Sequence, residues 1–260
     1  MKIKFIDTHA HLQEETFVND IDEVIKRAIN SNVIRTIIPN LYERDIDRIV
    51  YLKQKYPKFL DIMIGIYPIT VTSDYTRQVH VLEQYLSKHE FIGIGEIGLD
   101  YHLKDIDLDA QRKLFVQELN IAKELKLPVS IHSQDAADDM YKILKEQQNG
   151  NLTGVIHGFY DSVDDAKKLV DLGFYLGIGG FVTFNTSKVR KALKVVNPEN
   201  IVLETDSPYL TPTPFRKQRN EPSLIRYIAQ KVADVYQIDI EKLADICLKN
   251  SREVFNITNV

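Results

Sequence analysis

The amino-acid sequence predicts an α/β protein built as a TIM-type (β/α)8 barrel, regular or distorted, and three observations support this fold class. Short apolar runs typical of strands alternate with amphipathic stretches typical of helices along the whole chain. About eight such pairs fit into 260 residues, which is a usual length for this barrel. No linker rich in Gly, Pro or Ser interrupts them. We therefore expect a single barrel domain over residues 1–260, with its chemistry at the carboxyl ends of the strands.

Apolar and often β-branched runs predict the strands. In chain order, the strands are expected at Ile3–Asp7, Val33–Ile38, Phe59–Ile66, Phe91–Tyr101, Pro128–Ile131, Gly154–Ile156, Phe174–Leu176 and Ile201–Glu204. The run at Val33–Ile38 is typical, because its β-branched residues stop at Pro39. The run at Phe91–Tyr101 differs from the others, since a lone carboxylate, Glu96, is expected where its apolar part ends. Such a group is costly to bury unless a positive charge meets it.

Apolar residues at helical spacing predict the helices between these strands. In chain order, the helices are expected at Asp20–Ser31, Glu43–Lys55, Val79–Lys88, Leu108–Lys126, Ala136–Gln147, Val163–Leu172, Lys188–Val196, about Ser223–Tyr236 and Ile240–Asn250. The helix over Leu108–Lys126 has the clearest pattern, with an apolar stripe that includes Phe115 and Leu119. Pro57 follows the helix over Glu43–Lys55 and prevents its continuation.

The composition excludes a broad nucleic-acid-binding surface. The net charge is −4, whereas a dedicated duplex-binding protein is basic overall. If the protein binds DNA or RNA, a local site must supply the positive charge. The single cysteine, Cys247, lies in an apolar helical stretch and is expected to be a small buried residue. We find neither a signal peptide nor a run of about 20 apolar residues, and expect a cytoplasmic protein without a membrane segment. No protein partner is evident, and we expect a monomer or a weak homo-oligomer.

Ionisable side chains follow several of the predicted strands. His9 and His11 lie beyond the first strand, and they share a face because side chains alternate along an extended chain. His132 and His157 end two successive strands, and Asp206 follows the last one. Because the carboxyl ends of barrel strands meet at one rim, we expect these groups to lie close together.

Together with Glu96, this rim offers four imidazoles and two carboxylates, which is more than one catalytic ion needs. Six ligands with one bridging carboxylate suit two ions about 3.5–4 Å apart. Mixed nitrogen and oxygen ligands without thiolate suit Zn, Mn, Fe or Ni better than Ca. We expect two divalent metal ions as cofactors, with Mg, Mn and Zn as the candidates.

The sequence resembles the TatD family of metal-dependent deoxyribonucleases, within the amidohydrolase-like barrels, over essentially the whole chain. The segments that carry the resemblance are Ile6–Leu12, Gly95–Tyr101, Pro128–Ser133, Gly154–Phe159, Glu204–Leu210 and Arg219–Pro222. The resemblance implies that one ion is held by His9, His11 and Asp206. It implies that His132 and His157 hold the second ion and that Glu96 bridges both. It also implies phosphodiester hydrolysis on DNA, often from the 3′ end.

The chain departs from the pattern of that family in three places. Tyr67 stands where the family usually has a histidine that is thought to contact the substrate phosphate. Gln134 stands where the family usually has an arginine. In the segment that precedes Pro222, Lys217 and Gln218 stand where the family usually has Gly and Lys, while the two arginines Arg216 and Arg219 are kept. The expected metal site is therefore intact, while fewer cations are available to hold a phosphate.

We therefore expect a divalent-metal-dependent hydrolase, and specifically a deoxyribonuclease that acts as a 3′–5′ exonuclease on single-stranded DNA or strand ends. Asp206 is the expected general base, beside the bridging Glu96. The expected substrate contacts are Tyr67, Glu204, Arg216 and Arg219. Two alternatives stay open, namely hydrolysis of a small amide, lactone or phosphoester by the same metals, and a metal-stabilised binding protein without catalysis.

Overall fold

A computed structural model describes residues 3–102 and 107–258 of the chain. In that part of the chain, eight parallel strands form one sheet in the order β1 to β8. The strands are β1 (Phe5–Asp7), β2 (Val33–Pro39), β3 (Leu60–Ile64), β4 (Gly93–Asp100), β5 (Val129–Gln134), β6 (Gly154–Ile156), β7 (Tyr175–Ile178) and β8 (Ile201–Leu203). The amide of Thr8 donates to the carbonyl of Leu203 at 3.1 Å and so joins the end of β1 to β8. The sheet is therefore a nearly closed TIM barrel, and the predicted fold class is confirmed.

Helices follow the strands in alternation. They are α1 (Ile21–Asn30), α2 (Ile46–Lys55), α3 (Tyr75–Leu86), α4 (Leu108–Leu125), α5 (Ala137–Gln147), α6 (Val163–Asp171), α7 (Val189–Leu193), α8 (Ile225–Tyr236) and α9 (Ile240–Val254). The helix α7 is shorter than expected, because it ends at Leu193 and a turn over residues 194–196 follows it. The expected single domain over 1–260 includes residues 1–2, 103–106 and 259–260, which lie outside the described residues, and it stays a prediction.

The strand β4 is the longest of the described strands, and Glu96 lies in its middle. The strand expected over Phe91–Tyr101 therefore includes Glu96, but its apolar part does not end there, because the buried Ile97 and Leu99 continue it. The pairing between β4 and β5 shifts between Ile94 and Ile97, so β4 carries one extra residue at this point. Such a bulge re-aims a side chain without ending the strand. Gly95 permits it, since a Cβ at Gly95 would lie 2.8 Å from the Cβ of Ser130.

A cluster of buried apolar side chains closes the amino end of the barrel interior. Residues from five strands meet in this cluster, among them Ile6, Ile37, Met63 and Val202, and Phe255 packs there from beyond α9. A larger core lies between the strands and the surrounding helices. The apolar plug leaves the carboxyl end of the strands for polar groups. Within the described residues, no helix combines the length and the apolar character that crossing a membrane requires.

Candidate metal centre

The first two histidines converge on a single point beyond β1. The Nε2 atoms of His9 and His11 lie 3.2 Å apart. The Nδ1 atom of His9 is 3.1 Å from the hydroxyl of Ser130, and the Nδ1 atom of His11 is 3.3 Å from the amide of Gln13. The outer nitrogen of each ring is thus held by a polar side chain, which orients both Nε2 atoms toward the barrel axis.

The carboxylate of Glu96 lies between two sets of imidazoles. Its Oε2 atom is 3.3 Å from His9 Nε2 and 3.5 Å from His11 Nε2, while its Oε1 atom is 3.1 Å from His132 Nδ1. Burial alone would raise the pKa of Glu96, but the neighbouring imidazoles outweigh burial and lower this pKa well below its usual value. Glu96 is therefore ionised, although its buried Oε2 atom accepts no hydrogen bond from the described residues.

Asp206 approaches the same point from β8. Its Oδ1 atom is 3.4 Å from His11 Nε2 and 3.7 Å from His157 Nε2. The backbone of Asp206 has a positive φ of 56°, a conformation that aspartate adopts more readily than most residues. Its amide donates to the carbonyl of His9 at 2.9 Å, which fixes the end of β8 against the end of β1.

The two later histidines are each supported by a carboxylate. His132 Nε2 is 3.0 Å from Asp100 Oδ2, and His157 Nδ1 is 3.0 Å from Glu204 Oε1. Burial lowers the pKa of both rings, but the nearby carboxylates outweigh it and raise the pKa of His132 to about 9 and that of His157 to about 10. Carboxylates that contact the far nitrogen of a metal-binding imidazole set its orientation and raise its basicity.

The spacing of these donor atoms fits a bound metal ion. Ligands about 2.0–2.2 Å from a tetrahedral ion lie about 3.3–3.6 Å from one another. The four separations among His9, His11, Glu96 and Asp206 given above run from 3.2 to 3.5 Å. Among the described residues, two triads have donor atoms within 4.8 Å of one another, namely His9–His11–Asp206 and His9–Glu96–His157. The unsatisfied Oε2 atom of Glu96 also needs a positive partner. The residues present therefore fit a metal ion.

Three supporting residues were not assigned a role from the sequence. The buried carboxylate of Asp7 accepts from the amide of Thr205 at 2.8 Å and from its hydroxyl at 2.6 Å, so it ties β1 to the segment after β8. Burial raises the pKa of Asp7 to about 7, against the hydrogen bonds from Thr205. Asp100 contacts a ring nitrogen of His132, and Ser130 contacts a ring nitrogen of His9. Side-chain alternation could have identified Asp7, because it shares a face with His9.

A cavity of about 380 Å³ lies above the ligands. Its wall is largely aromatic and aliphatic, and the aromatic residues in it are Tyr42, Tyr67, Tyr160, Phe181 and Tyr209. Gln134 also lines it, but no lysine or arginine of residues 3–102 and 107–258 does. The ring of Tyr67 lies 5.1 Å from the ring of His132, so this predicted substrate contact does face the cavity.

The other three predicted substrate contacts lie elsewhere. Glu204 is fully buried behind His157, where it also accepts from the amide of Gly158 at 2.6 Å. Arg219 forms ion pairs with Asp20 at 2.6 Å and with Glu221 at 2.9 Å, outside the cavity wall. Arg216 is exposed and also lies outside that wall. Glu204 thus supports a ligand and is too buried to touch substrate, and the pairing of Arg219 argues against a substrate contact.

Comparison with known proteins extends this description along the chain. A family model described as TatD related DNase matches residues 6–256. An uncharacterized metal-dependent hydrolase of Bacillus subtilis, YabD, is 37% identical over 253 residues, covering 96% of this chain and 98% of that protein. The hydrolase YcfH of Escherichia coli is 31% identical over 266 residues, covering 97% of this chain and 96% of that protein. Sequence similarity therefore extends through all the strand ends described above.

Solved structures agree with the fold. The crystal structure of YjjV, a TatD homologue from Escherichia coli, has a TM-score of 0.93 at 28% identity and covers 99% of this chain and 100% of that chain. A phosphotriesterase homology protein from Escherichia coli, crystallised with phosphate in its active site, has a TM-score of 0.70 at 14% identity and covers 97% of this chain and 99% of that chain. The second likeness concerns the fold alone.

Proposed function

Because this chain is a metal-dependent hydrolase that belongs to the TatD-related DNase family, we propose that it hydrolyses phosphodiester bonds in DNA with two divalent ions. One observation supports this proposal above the others, namely that the two carboxylate oxygens of Glu96 face different imidazoles. Oε2 faces His9 and His11, and Oε1 faces His132. A carboxylate shared in this way is typical of sites that hold two ions about 3.5–4 Å apart.

The ligands divide into two groups around that carboxylate. His9, His11 and Asp206 would hold one ion, His132 and His157 the other, and Glu96 both. When bound, such ions lower the pKa of a shared water toward neutrality and neutralise charge on the phosphate. The triad His9–His11–Asp206 supports the first group, and the contact of Glu96 Oε1 with His132 supports the bridging role of Glu96. The assignment of His157 to the second ion follows the family resemblance, since the other triad places His157 beside His9 and Glu96.

Two side chains at the cavity floor carry the proton chemistry in this proposal. Burial alone would raise the pKa of Asp206, but its hydrogen bond with His11 and the nearby imidazoles lower it, so Asp206 is ionised and accepts the proton of the attacking water. Burial, and then the charge of Glu96, raise the pKa of Tyr67. Tyr67 therefore keeps its hydroxyl proton at neutral pH and donates a hydrogen bond to a phosphate oxygen.

The cavity favours the end of a single strand as the substrate. A volume of about 380 Å³ suits a group near the lower limit of small-molecule sites, which is about the size of one nucleotide. The net charge of −4 and the lack of lysine and arginine in the described cavity wall disfavour binding along a duplex. We therefore propose exonuclease action on single-stranded DNA, with the direction 3′ to 5′ that the family resemblance implies.

An assay on end-labelled oligonucleotides tests this proposal. The metal-free protein is reloaded with Mg, Mn or Zn and incubated with single- and double-stranded DNA labelled at the 5′ end, so that 3′–5′ action produces a ladder. We expect metal-dependent shortening of the single strand and its loss in Glu96→Ala. The matched control is Glu90→Gln, since Glu90 is exposed at the approach to β4. Full activity in Glu96→Ala, or activity that survives chelation, would contradict the proposal.

The composition of the cavity wall favours a second candidate, hydrolysis of a small neutral ester, lactone or amide. Within the described residues, the wall contains Leu41, Ile69 and Phe181 but no lysine or arginine, and such walls suit apolar substrates. A panel of these esters and amides, assayed with the same metals, separates the candidates. A kcat/KM on any of them far above that on DNA would favour the second candidate over the first.

A further inference from the structure

An aromatic track leads from the candidate metal centre toward the surface. We define it as Tyr160, Phe181 and Phe184. Tyr160 and Phe181 line the cavity, and their ring centroids are 5.6 Å apart. The ring of Phe184 lies 5.5 Å beyond that of Phe181 and outside the cavity wall. Aromatic rings in series at the mouth of a polar site are a common means of binding the bases of a single strand.

A cation stands at the outer end of this track. The guanidinium carbon of Arg216 lies 3.6 Å from the centroid of the Phe184 ring. Arg216 is exposed, and no carboxylate of residues 3–102 and 107–258 forms an ion pair with it. Arg219, three positions on, is neutralised by two carboxylates. Of these two arginines, Arg216 is therefore the one with its charge available to a ligand.

The segment that carries Phe181 and Phe184 is held in place by partly buried and exposed polar contacts. Arg190 donates to the carbonyl of Val182 at 3.0 Å and to that of Phe184 at 2.8 Å. The hydroxyl of Thr183 accepts from the amide of Thr213 at 3.0 Å. This last bond joins the segment after β7 to the segment that carries Arg216. Phe181, Phe184 and Arg216 are therefore held in position relative to one another before any ligand binds.

We propose that the terminal base of a single-stranded nucleic acid stacks against Tyr160 and Phe181, while Arg216 binds the phosphate of a neighbouring nucleotide outside the cavity. This inference rests on the proposed function and adds the path that the strand takes. The cavity wall offers π faces and, within the described residues, no lysine or arginine, so it suits a base, and the charge of Arg216 at its edge suits a phosphate. A base paired in a duplex cannot reach these rings, which restricts binding to unpaired ends.

Binding rather than turnover tests the proposal. The metal-loaded full-length chain is titrated with a fluorescent single-stranded oligonucleotide whose terminal linkages are phosphorothioates, which keep the charge and resist cleavage. A second oligonucleotide lacks only its 3′-terminal base. We expect Phe181→Leu to weaken binding of the first by about 5- to 150-fold, as for the loss of one stacked base, and to leave binding of the second unchanged. Equal weakening of both would mean that Phe181 is only structural and would overturn the proposal.

The charge is tested through the salt dependence of the same titration. Removing one phosphate contact lowers the slope of log Kd against log salt by about 0.7 for a single strand, and this is the change expected for Arg216→Gln. The control is Lys88→Gln, which makes the same charge change at an exposed position before β4, where the slope should not move. An unchanged slope in Arg216→Gln, or no binding by the wild type, would overturn the proposal. If the protein hydrolyses DNA while Phe181→Leu and Arg216→Gln both bind the oligonucleotide like the wild type, this inference alone is refuted. If both substitutions change binding but the wild type does not hydrolyse DNA, the proposed function alone is refuted.

Discussion

Glu118 lies on α4, and its carboxyl group is buried and accepts a hydrogen bond from the amide of Ile66 at 2.7 Å. Burial raises the pKa of Glu118 well above its usual value, against the opposing effect of that hydrogen bond. The folded chain therefore binds a proton here that the unfolded chain releases. The contribution of this proton to the free energy of unfolding is present in full below about pH 4.3. It falls by about 1.4 kcal/mol per pH unit as the pH rises toward the pKa of Glu118 in the folded chain.

Replacing Glu118 with glutamine removes this pH dependence. The amide oxygen of Glu118→Gln still accepts the hydrogen bond from Ile66. If its NH2 group finds no partner, the variant is destabilised by about 1–3 kcal/mol at every pH. Between the pKa values of Glu118 in the unfolded and folded chains, the free energy of unfolding of the variant should rise relative to that of the wild type by about 1.4 kcal/mol per pH unit. For a chain of this size, that gain corresponds to about 3–6 °C in Tm per pH unit.

Thermal unfolding of both proteins at half-unit steps from pH 4 to pH 8 measures this difference. The control is Glu124→Gln, which replaces an exposed carboxyl on the same helix and should give a difference in Tm that does not depend on pH. Titration of the metal ligands affects all three proteins alike and cancels in the differences. Parallel curves for the wild type and Glu118→Gln would refute the reasoning, because they would mean that the carboxyl is ionised in the fold.

Three further outcomes are expected. Asp100→Asn removes the charge that faces His132 Nε2 at 3.0 Å, so metal affinity should fall about 10- to 100-fold in competition with a chelating dye, and unchanged affinity would contradict the supporting role. Asp7→Ala leaves the buried amide and hydroxyl of Thr205 without their acceptor, which should cost about 1–3 kcal/mol for each group in denaturant titration; no loss would mean that water replaces the carboxylate. Arg219→Ala breaks an outer ion-pair network and the contacts of the guanidinium with Thr16 and Phe17, all outside the cavity wall. The kcat/KM on DNA should therefore stay within about twofold, and a tenfold loss would restore Arg219 as a substrate contact.

The barrel and the convergence of its polar strand ends were predictable from local patterns. Each of the six expected ligands lies on or just beyond a strand, and the alternation of side chains determines which face each one takes. The six side chains do meet in the structure, while their binding of two ions stays a prediction. His9 and His11 illustrate this success, because two positions along an extended chain are enough to bring their rings together.

Features that depend on contacts distant in sequence were not predictable. The bulge at Glu96 arises from the register between β4 and β5, which no local pattern reports. The neutralisation of Arg219 depends on Asp20, which lies at the opposite end of the sequence. The aromatic track is equally hidden, since Phe181 has the composition of an ordinary core residue until the cavity beside it is known.

The first triad of candidate ligands joins the two ends of the barrel. His9 and His11 follow β1, Asp206 follows β8, and about 200 residues separate them. During synthesis, the two histidines leave the ribosome long before the aspartate has been made. An unfinished chain therefore lacks both a closed barrel and a complete set of candidate ligands. An ion held by His9, His11 and Asp206 would connect the first strand to the last, so the proposed chemistry would become available only when the fold is complete.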